Sequence, residues 1–167
     1  MLSLPLTDSG RYAAQGRCVL AGQTRALEAH FKVLRQNSQL RIEGYTRLED
    51  GLERDFRLRL RFGTSILAGG RFEYSDAALR HLAGTLAWAQ DCYIMAAHCY
   101  APNASVSIHL KPREAHNHYE LRGLFSPALG EVVSFSLAIA PLRPGARAAA
   151  PARDQAPGSI QEEAAGL

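Results

Sequence analysis

The feature of this sequence that most constrains its fold is a strict alternation of apolar and polar residues. The alternation is cleanest over 54–62, Arg-Asp-Phe-Arg-Leu-Arg-Leu-Arg-Phe, where every second residue from Phe56 to Phe62 is apolar and arginines lie between them. Successive side chains of a strand point to opposite faces of its sheet. The pattern therefore predicts a strand with one buried face and one basic face.

The same alternation predicts strands along most of the chain. They cover 39–48, 65–74 with a bend at Gly69-Gly70, 93–99, 105–110, 118–125 and 133–139, with turn residues at 49–53. Residues 17–35 fit a strand or a helix, and their neighbours favour a strand.

The period changes once. Between Ser75 and Gln90, leucines and alanines recur at helical spacing, and Ser75 is a suitable N-cap. We therefore expect a helix over about 76–90 and an α+β fold, with that helix packed on the apolar face of an antiparallel sheet. The alternative is a closed or half-closed β-barrel capped by the same helix.

Composition divides the chain into one folded domain, 1–140, and a tail, 141–167. Of the 167 residues, 47% are hydrophobic and 21% are charged, which is ordinary for a globular domain. The tail is rich in Ala, Pro and Gly, so we expect it to be disordered, and we expect residues 1–15 to be loosely held. The three cysteines do not suggest a disulfide framework, so we expect reduced, buried thiols.

The sequence carries none of the common catalytic motifs, such as a P-loop, a nucleophile elbow or a zinc-binding HExxH, so we expect a protein that is not an enzyme and uses no cofactor. It shows no secretory leader and no apolar membrane span, which favours the cytoplasm. A formal net charge of +3 does not favour nucleic acid as the partner.

Two groups of polar residues are candidate sites. Arg57, Arg59 and Arg61 share one strand face, with Arg41 and Tyr45 expected beside them. Arginine makes bidentate contacts with carboxylates and phosphates, so this face could bind an acidic protein, a nucleic acid or nothing but water. We favour a protein over a nucleic acid as the partner.

The second candidate site is formed by histidines. Pairing the strands at 105–110 and 117–123 in phase would set His109 opposite His118 and Ser107 opposite Glu120, which could hold a divalent ion. The alternative is an ordinary hydrated sheet face. Trp88, Tyr93 and Met95 would line a ligand cavity if the sheet closes, or form a plain core.

Three segments carry a resemblance to a known family: LRIEGYTRLEDGLERDFRLRLRF, GRFEYSDAALRHLAGTLAWAQ and HYELRGLFSP…EVVSFSLAI. Their order over about 38–140 resembles bacterial WapI-type immunity proteins, in which two strands, a helix and a hairpin follow one another. The resemblance implies a small non-catalytic protein that binds and neutralises a toxin, or a relative of such proteins with another partner. We expect it to act by occlusion, with the polar, arginine-rich face covering a surface of the toxin. The alternatives are a barrel that binds a small molecule or a metal, and a structural assembly protein.

Overall fold

The computed structural model describes residues 6, 8–63, 69–77, 81–100, 103–127 and 132–142, which form a closed antiparallel β-barrel. Each strand pairs with its neighbours in sequence, and β1 pairs with β10 to close the barrel. The strands are β1 (Gly10–Leu20), β2 (Gln23–Gln36), β3 (Gln39–Leu48), β4 (Glu53–Phe62), β5 (Gly70–Asp76), β6 (Leu82–Ala89), β7 (Cys92–Tyr100), β8 (Asn103–Pro112), β9 (Tyr119–Pro127) and β10 (Val133–Pro141).

The α+β prediction is wrong, because no helix occurs among the described residues, and the described part of the segment expected to be helical contains the end of β5 and all of β6. Residues 78–80 of that segment lie outside the described residues. In β6, Leu82 and Leu86 are buried inside the barrel, while Ala83 and Ala87 are exposed outside it. The outward alanines made this strand apolar on both faces, which imitated helical spacing. Of the two predicted architectures, the barrel is the closer, but without its helical cap.

The alternation itself predicted the inward face correctly on most strands. Leu58 and Leu60 of β4 point inward, and the arginines between them point outward. β3 and the turn after it lie where they were expected, and the ambiguous segment 17–35 belongs to β1 and β2 apart from the turn at 21–22. Gly69 has a positive φ of 72° at the expected bend, and β5 begins at Gly70, whereas 65–68 of that predicted strand lie outside the described residues. The buried Cys18 and Cys92 are free thiols.

The N-terminal residues take part in the barrel from an earlier position than expected. β1 begins at Gly10, within the stretch 1–15 that was expected to be loosely held, and Leu6 is buried among the core residues. The predicted tail lies outside the described residues from 143 onward. Among the residues that are described, there is no helix long and apolar enough to cross a membrane.

The strand register sets the width of the barrel. Following the pairing once around the ten described strands returns to β1 displaced by about 12 residues. With strands about 4.8 Å apart, this stagger gives a tilt of about 40° and a backbone radius of about 10 Å. Eight-stranded barrels already hold one small ligand, so a ten-stranded barrel has more room inside.

Inward-facing glycines allow the wall to curve beneath large rings. A Cβ on Gly123 would lie 2.5 Å from Cε2 of Phe135 on the neighbouring strand, and a Cβ on Gly44 would lie 2.6 Å from the Cα of Phe31. At Gly123 the ring of Phe135 covers the position where a side chain would stand, whereas at Gly44 the backbone of the neighbouring strand β2 occupies it. This arrangement of an aromatic ring over a glycine is a known way to stabilise strongly curved sheets.

Candidate functional site

The barrel interior is packed most tightly in its lower half, at the end where β1 begins, where Tyr12, Leu60, Phe72 and Tyr93 are each no more than 2% exposed. Toward the upper end, Cys18, Leu82, Ala104 and Val106 are buried as well. The inward-facing apolar side chains that are only partly buried include Phe62 and Trp88 near the lower end and a larger group toward the middle and upper end: Leu27, Phe31, Phe56, Leu58, Tyr74, Ala97, Ile108, Leu121, Phe125 and Phe135. Their partial exposure leaves apolar surface available on the inner wall.

The N-terminal segment closes the lower end. The backbone N–H of Leu6 donates to the hydroxyl of Tyr119 at 2.7 Å, and Leu6 is 3% exposed. The hydroxyl of Tyr12 donates to the carbonyl oxygen of Asp8 at 3.0 Å, and the side-chain amide of Asn117 donates to the Asp8 carboxylate at 2.6 Å. These contacts hold Leu6 and Asp8 across the lower end.

Four aromatic rings form a ladder along the inner wall. Tyr12 stacks on Phe31 with ring centroids 5.7 Å apart, Phe31 meets Phe56 at 6.3 Å, and Phe56 stacks on Tyr74 at 6.3 Å. The intervening position on β3 is Gly44, which leaves the space that the rings of Phe31 and Phe56 occupy. The ladder leads from the packed lower half to the half-buried upper half.

Polar groups lie at the upper end of the ladder. The hydroxyl of Tyr74 donates to the carboxylate of Asp76 at 2.9 Å. Burial, followed by the negative charge of Asp76, raises the pKa of Tyr74, while Arg54 acts in the opposite direction. Tyr74 therefore stays neutral across the physiological pH range, and its hydroxyl keeps its hydrogen bond to Asp76 at the upper end of the ladder.

Trp88, Tyr93 and Met95 all face the interior, as required by either interpretation of them. Tyr93 and Met95 are buried, and the rings of Trp88 and Tyr93 meet edge-to-face at 4.4 Å. They lie on adjoining ends of β6 and β7 in the packed lower half. Their place is therefore in the core beneath the ladder and not along its half-buried surface.

The predicted arginine group lies on the outside of the barrel. Arg41 of β3 is opposite Arg59 of β4, and Arg57 is opposite Glu43. Arg61 lies next along β4. Tyr45 is on the same outer surface, but it stacks on His30 at 5.4 Å, and Arg47 lies over its ring at 5.7 Å. The structure therefore brings the four arginines together and gives Tyr45 separate partners.

Residues on β2 and β5 that were not predicted from the sequence extend this group of arginines. Lys32 of β2 lies opposite Glu43, and on β5 Arg71 lies opposite Arg61 while Glu73 lies opposite Arg59. We call this set the arginine face: Lys32, Arg41, Arg57, Arg59, Arg61, Arg71, Glu43 and Glu73. The alternation Arg71-Phe72-Glu73 next to a turn could have revealed its β5 members.

The predicted metal site is not assembled. His109 lies opposite Arg122 and not opposite His118, which is outside the strands and donates from Nδ1 to the carbonyl oxygen of His116 at 2.9 Å. Glu120 is held by Arg122 at 2.5 Å and Arg113 at 3.5 Å, and the hydrogen bond from Arg122 is the main cause that lowers its pKa. In the part of the chain that the structure describes, no three His, Cys, Asp or Glu residues form a group that could hold a metal.

Comparisons with known proteins do not assign this chain to a family. No family model matches it, and no curated protein matches it. Among solved structures, it is similar to a de novo designed fluorescence-activating β-barrel, with 14% sequence identity and a TM-score of 0.45. The similarity covers 82% of this chain and 97% of the designed one.

Proposed function

We propose that this barrel is a binding protein and not an enzyme, and that its ligand is a small, largely apolar and planar molecule held in the upper half of the interior. The observation that carries the proposal is the half-buried aromatic ladder inside a ten-stranded barrel. Ligand sites in proteins are concave and mostly apolar, with a few polar groups that fix orientation. The described interior supplies an apolar and aromatic lining, and Tyr74 and Asp76 supply the polar groups.

The ladder favours a planar ligand. Aromatic rings prefer offset stacked or edge-to-face contacts at centroid distances of about 4.5–7 Å. Phe56 and Tyr74 present ring surface that is not fully covered by protein, so a flat apolar molecule would gain contact area there. The hydroxyl of Tyr74 and the carboxylate of Asp76 would orient a polar group of the ligand at the mouth.

The test uses the neutral apolar dye N-phenylnaphthylamine, with energy transfer from Trp88, the single tryptophan of the chain. The wild type should bind the dye, and Ala97→Phe should weaken binding by about tenfold or more because the new ring fills the interior. Ala96→Phe is the matched control, since Ala96 is exposed on the outer surface and its neighbour Ala97 faces inward.

Two further results decide the proposal. If Ala97→Phe is poorly folded by circular dichroism, Ile108→Phe serves as a second inward substitution, with Ser107→Phe as its control. Phe56→Ala should lower dye affinity by removing one ring of the ladder. Equal binding by the inward and outward variants would place the dye outside the barrel and overturn the proposal.

A second candidate function is the neutralisation of a toxin by occlusion, which the resemblance to WapI-type immunity proteins implies. The arginine face favours it, because this outer surface could cover an acidic region of another protein. Growth rescue on co-expression with a candidate toxin domain, lost when Arg57 and Arg59 are both changed to Glu, would support it. Rescue unchanged by that double substitution would remove the arginine face from this function.

A further inference from the structure

The arginine face holds many more cations than its own carboxylates can neutralise. Six Lys and Arg side chains share two carboxylates across β2–β5. Glu43 contacts Arg41 at 2.6 Å and Arg57 at 3.8 Å, and Glu73 contacts Arg59 at 3.2 Å. The excess of four positive charges on this one surface is larger than the net charge of +3 for the whole chain.

Some of these cations also lie directly opposite each other on neighbouring strands, an arrangement that does not favour the stability of the sheet. Arg41 lies directly opposite Arg59, and Arg61 lies directly opposite Arg71. Like charges in such cross-strand pairs are destabilising. Arg57 has a more exposed side chain than Arg41, Arg59 or Arg61, at 77%, and its only carboxylate contact among the described residues is the 3.8 Å one to Glu43. This arrangement leaves guanidinium groups available to an external anion.

The spacing of the row indicates the shape of that anion. Arg57, Arg59 and Arg61 are alternate residues of one strand, so they repeat about every 6.8 Å. Acidic side chains at alternate positions of an extended polypeptide repeat at the same distance. We propose that the arginine face binds an extended acidic segment of a partner protein, with carboxylates paired to this row.

The closed barrel defines how such a segment would be held. Every described strand has both neighbours, so no free edge can accept the segment as an additional strand. Recognition would rest on side-chain charge pairs, in which guanidinium groups bind carboxylates in a bidentate manner. Asp55 lies two residues before Arg57 on β4 and limits the row at that end. Binding of this kind weakens with salt.

A single-stranded nucleic acid fits this surface less well. Proteins that bind single strands combine a basic path with exposed aromatic rings on which the bases stack. The aromatic ring nearest to the row, Tyr45, is already stacked on His30 and covered by Arg47. Glu43 and Glu73 also lie inside the path that a phosphate backbone would follow.

The test measures fluorescence anisotropy of three labelled probes at low and high salt: a peptide with Glu at alternate positions, a peptide of the same composition with its Glu residues in one block, and a single-stranded oligonucleotide of equal charge. The alternating peptide should bind most tightly. Arg57→Glu/Arg61→Glu should weaken it by about tenfold or more. The matched control is Arg17→Glu/Arg122→Glu, which makes the same charge change at outward positions linked through Ser136 of β10.

Each outcome decides the proposal. Loss of binding in the first double variant, with binding retained in the control and both folded by circular dichroism, supports it. Equal loss in both variants would show an effect of net charge alone and overturn it. Tighter binding of the oligonucleotide, or equal binding of the two peptides, would also overturn it. None of these measurements depends on whether the interior holds a ligand.

Discussion

The contact between Gly123 and the ring of Phe135 makes a quantitative prediction. A methyl group at Gly123 would meet the ring at Cζ, at Cε2 (2.5 Å) and at Cε1 (2.6 Å), so the ring or the wall must move. Overpacking of this kind costs about 1–3 kcal/mol, and replacing glycine in a strand returns about 0.5–1 kcal/mol. We therefore expect Gly123→Ala to lower the free energy of unfolding by up to about 2.5 kcal/mol.

The ring alone is responsible for this loss, so its removal should reverse the sign. In a Phe135→Leu background the overpacking is relieved, and Gly123→Ala should become neutral or stabilising, a coupling of about 1–3 kcal/mol in a double-mutant cycle. Urea unfolding followed by Trp88 fluorescence measures all four proteins. Gly44→Ala is the contrast, because its methyl group would meet the backbone of Phe31 at 2.6 Å and no ring deletion relieves that contact. Equal destabilisation by Gly123→Ala in both backgrounds would refute the reasoning.

Three further predictions concern the lower half of the barrel. Tyr119→Phe should lower the free energy of unfolding in urea by about 1–3 kcal/mol, because it leaves the buried N–H of Leu6 without its acceptor. A change below a few tenths of a kcal/mol would disprove this role of Tyr119. Leu60→Ala should cost about 2–5 kcal/mol by the same measurement, because Leu60 is 1% exposed, and a neutral result would contradict its place in the core. Burial raises the pKa of Tyr12 and Tyr93 from 10.0 to about 12, so between these values the unfolded chain releases protons that the folded chain keeps. Stability should therefore fall as pH rises through this window, and reversible titration of every tyrosine near pH 10 in the folded protein would rule this out.

The alternation predicted the inward face well because that signal is local to each strand. On β4, a one-residue error would have turned Leu58 and Leu60 outward and three arginines inward, so the face was strongly determined. β6 has no such contrast between apolar and charged positions. Alanine is tolerated on either face of a sheet and favours helices, so Ala83 and Ala89 supported the wrong period.

The sites were harder to predict than the faces because they depend on register between strands. His109 was expected opposite His118, but its observed partner is Arg122, four positions further along. β8 continues to Pro112 and a six-residue loop follows before β9 begins at Tyr119, lengths that alternation does not report. The arginine row was predictable because its core lies on one strand. The aromatic ladder was not, since its rings come from β1, β2, β4 and β5.

The barrel is closed by the pairing of β1 with β10, which we call the seam. Every other pairing of described strands joins segments that follow each other directly, so each can form as a local hairpin. The seam alone must bring together residues as far apart as Tyr12 and Pro141, and most of the loop-closure entropy of the fold is lost there. Across this seam the N–H of Leu142 donates to the carbonyl oxygen of Arg11 at 2.8 Å, and the N–H of Leu6, ahead of β1, donates to the hydroxyl of Tyr119 on β9. We therefore expect the seam to form after the hairpins during folding, because its closure carries the largest entropic cost.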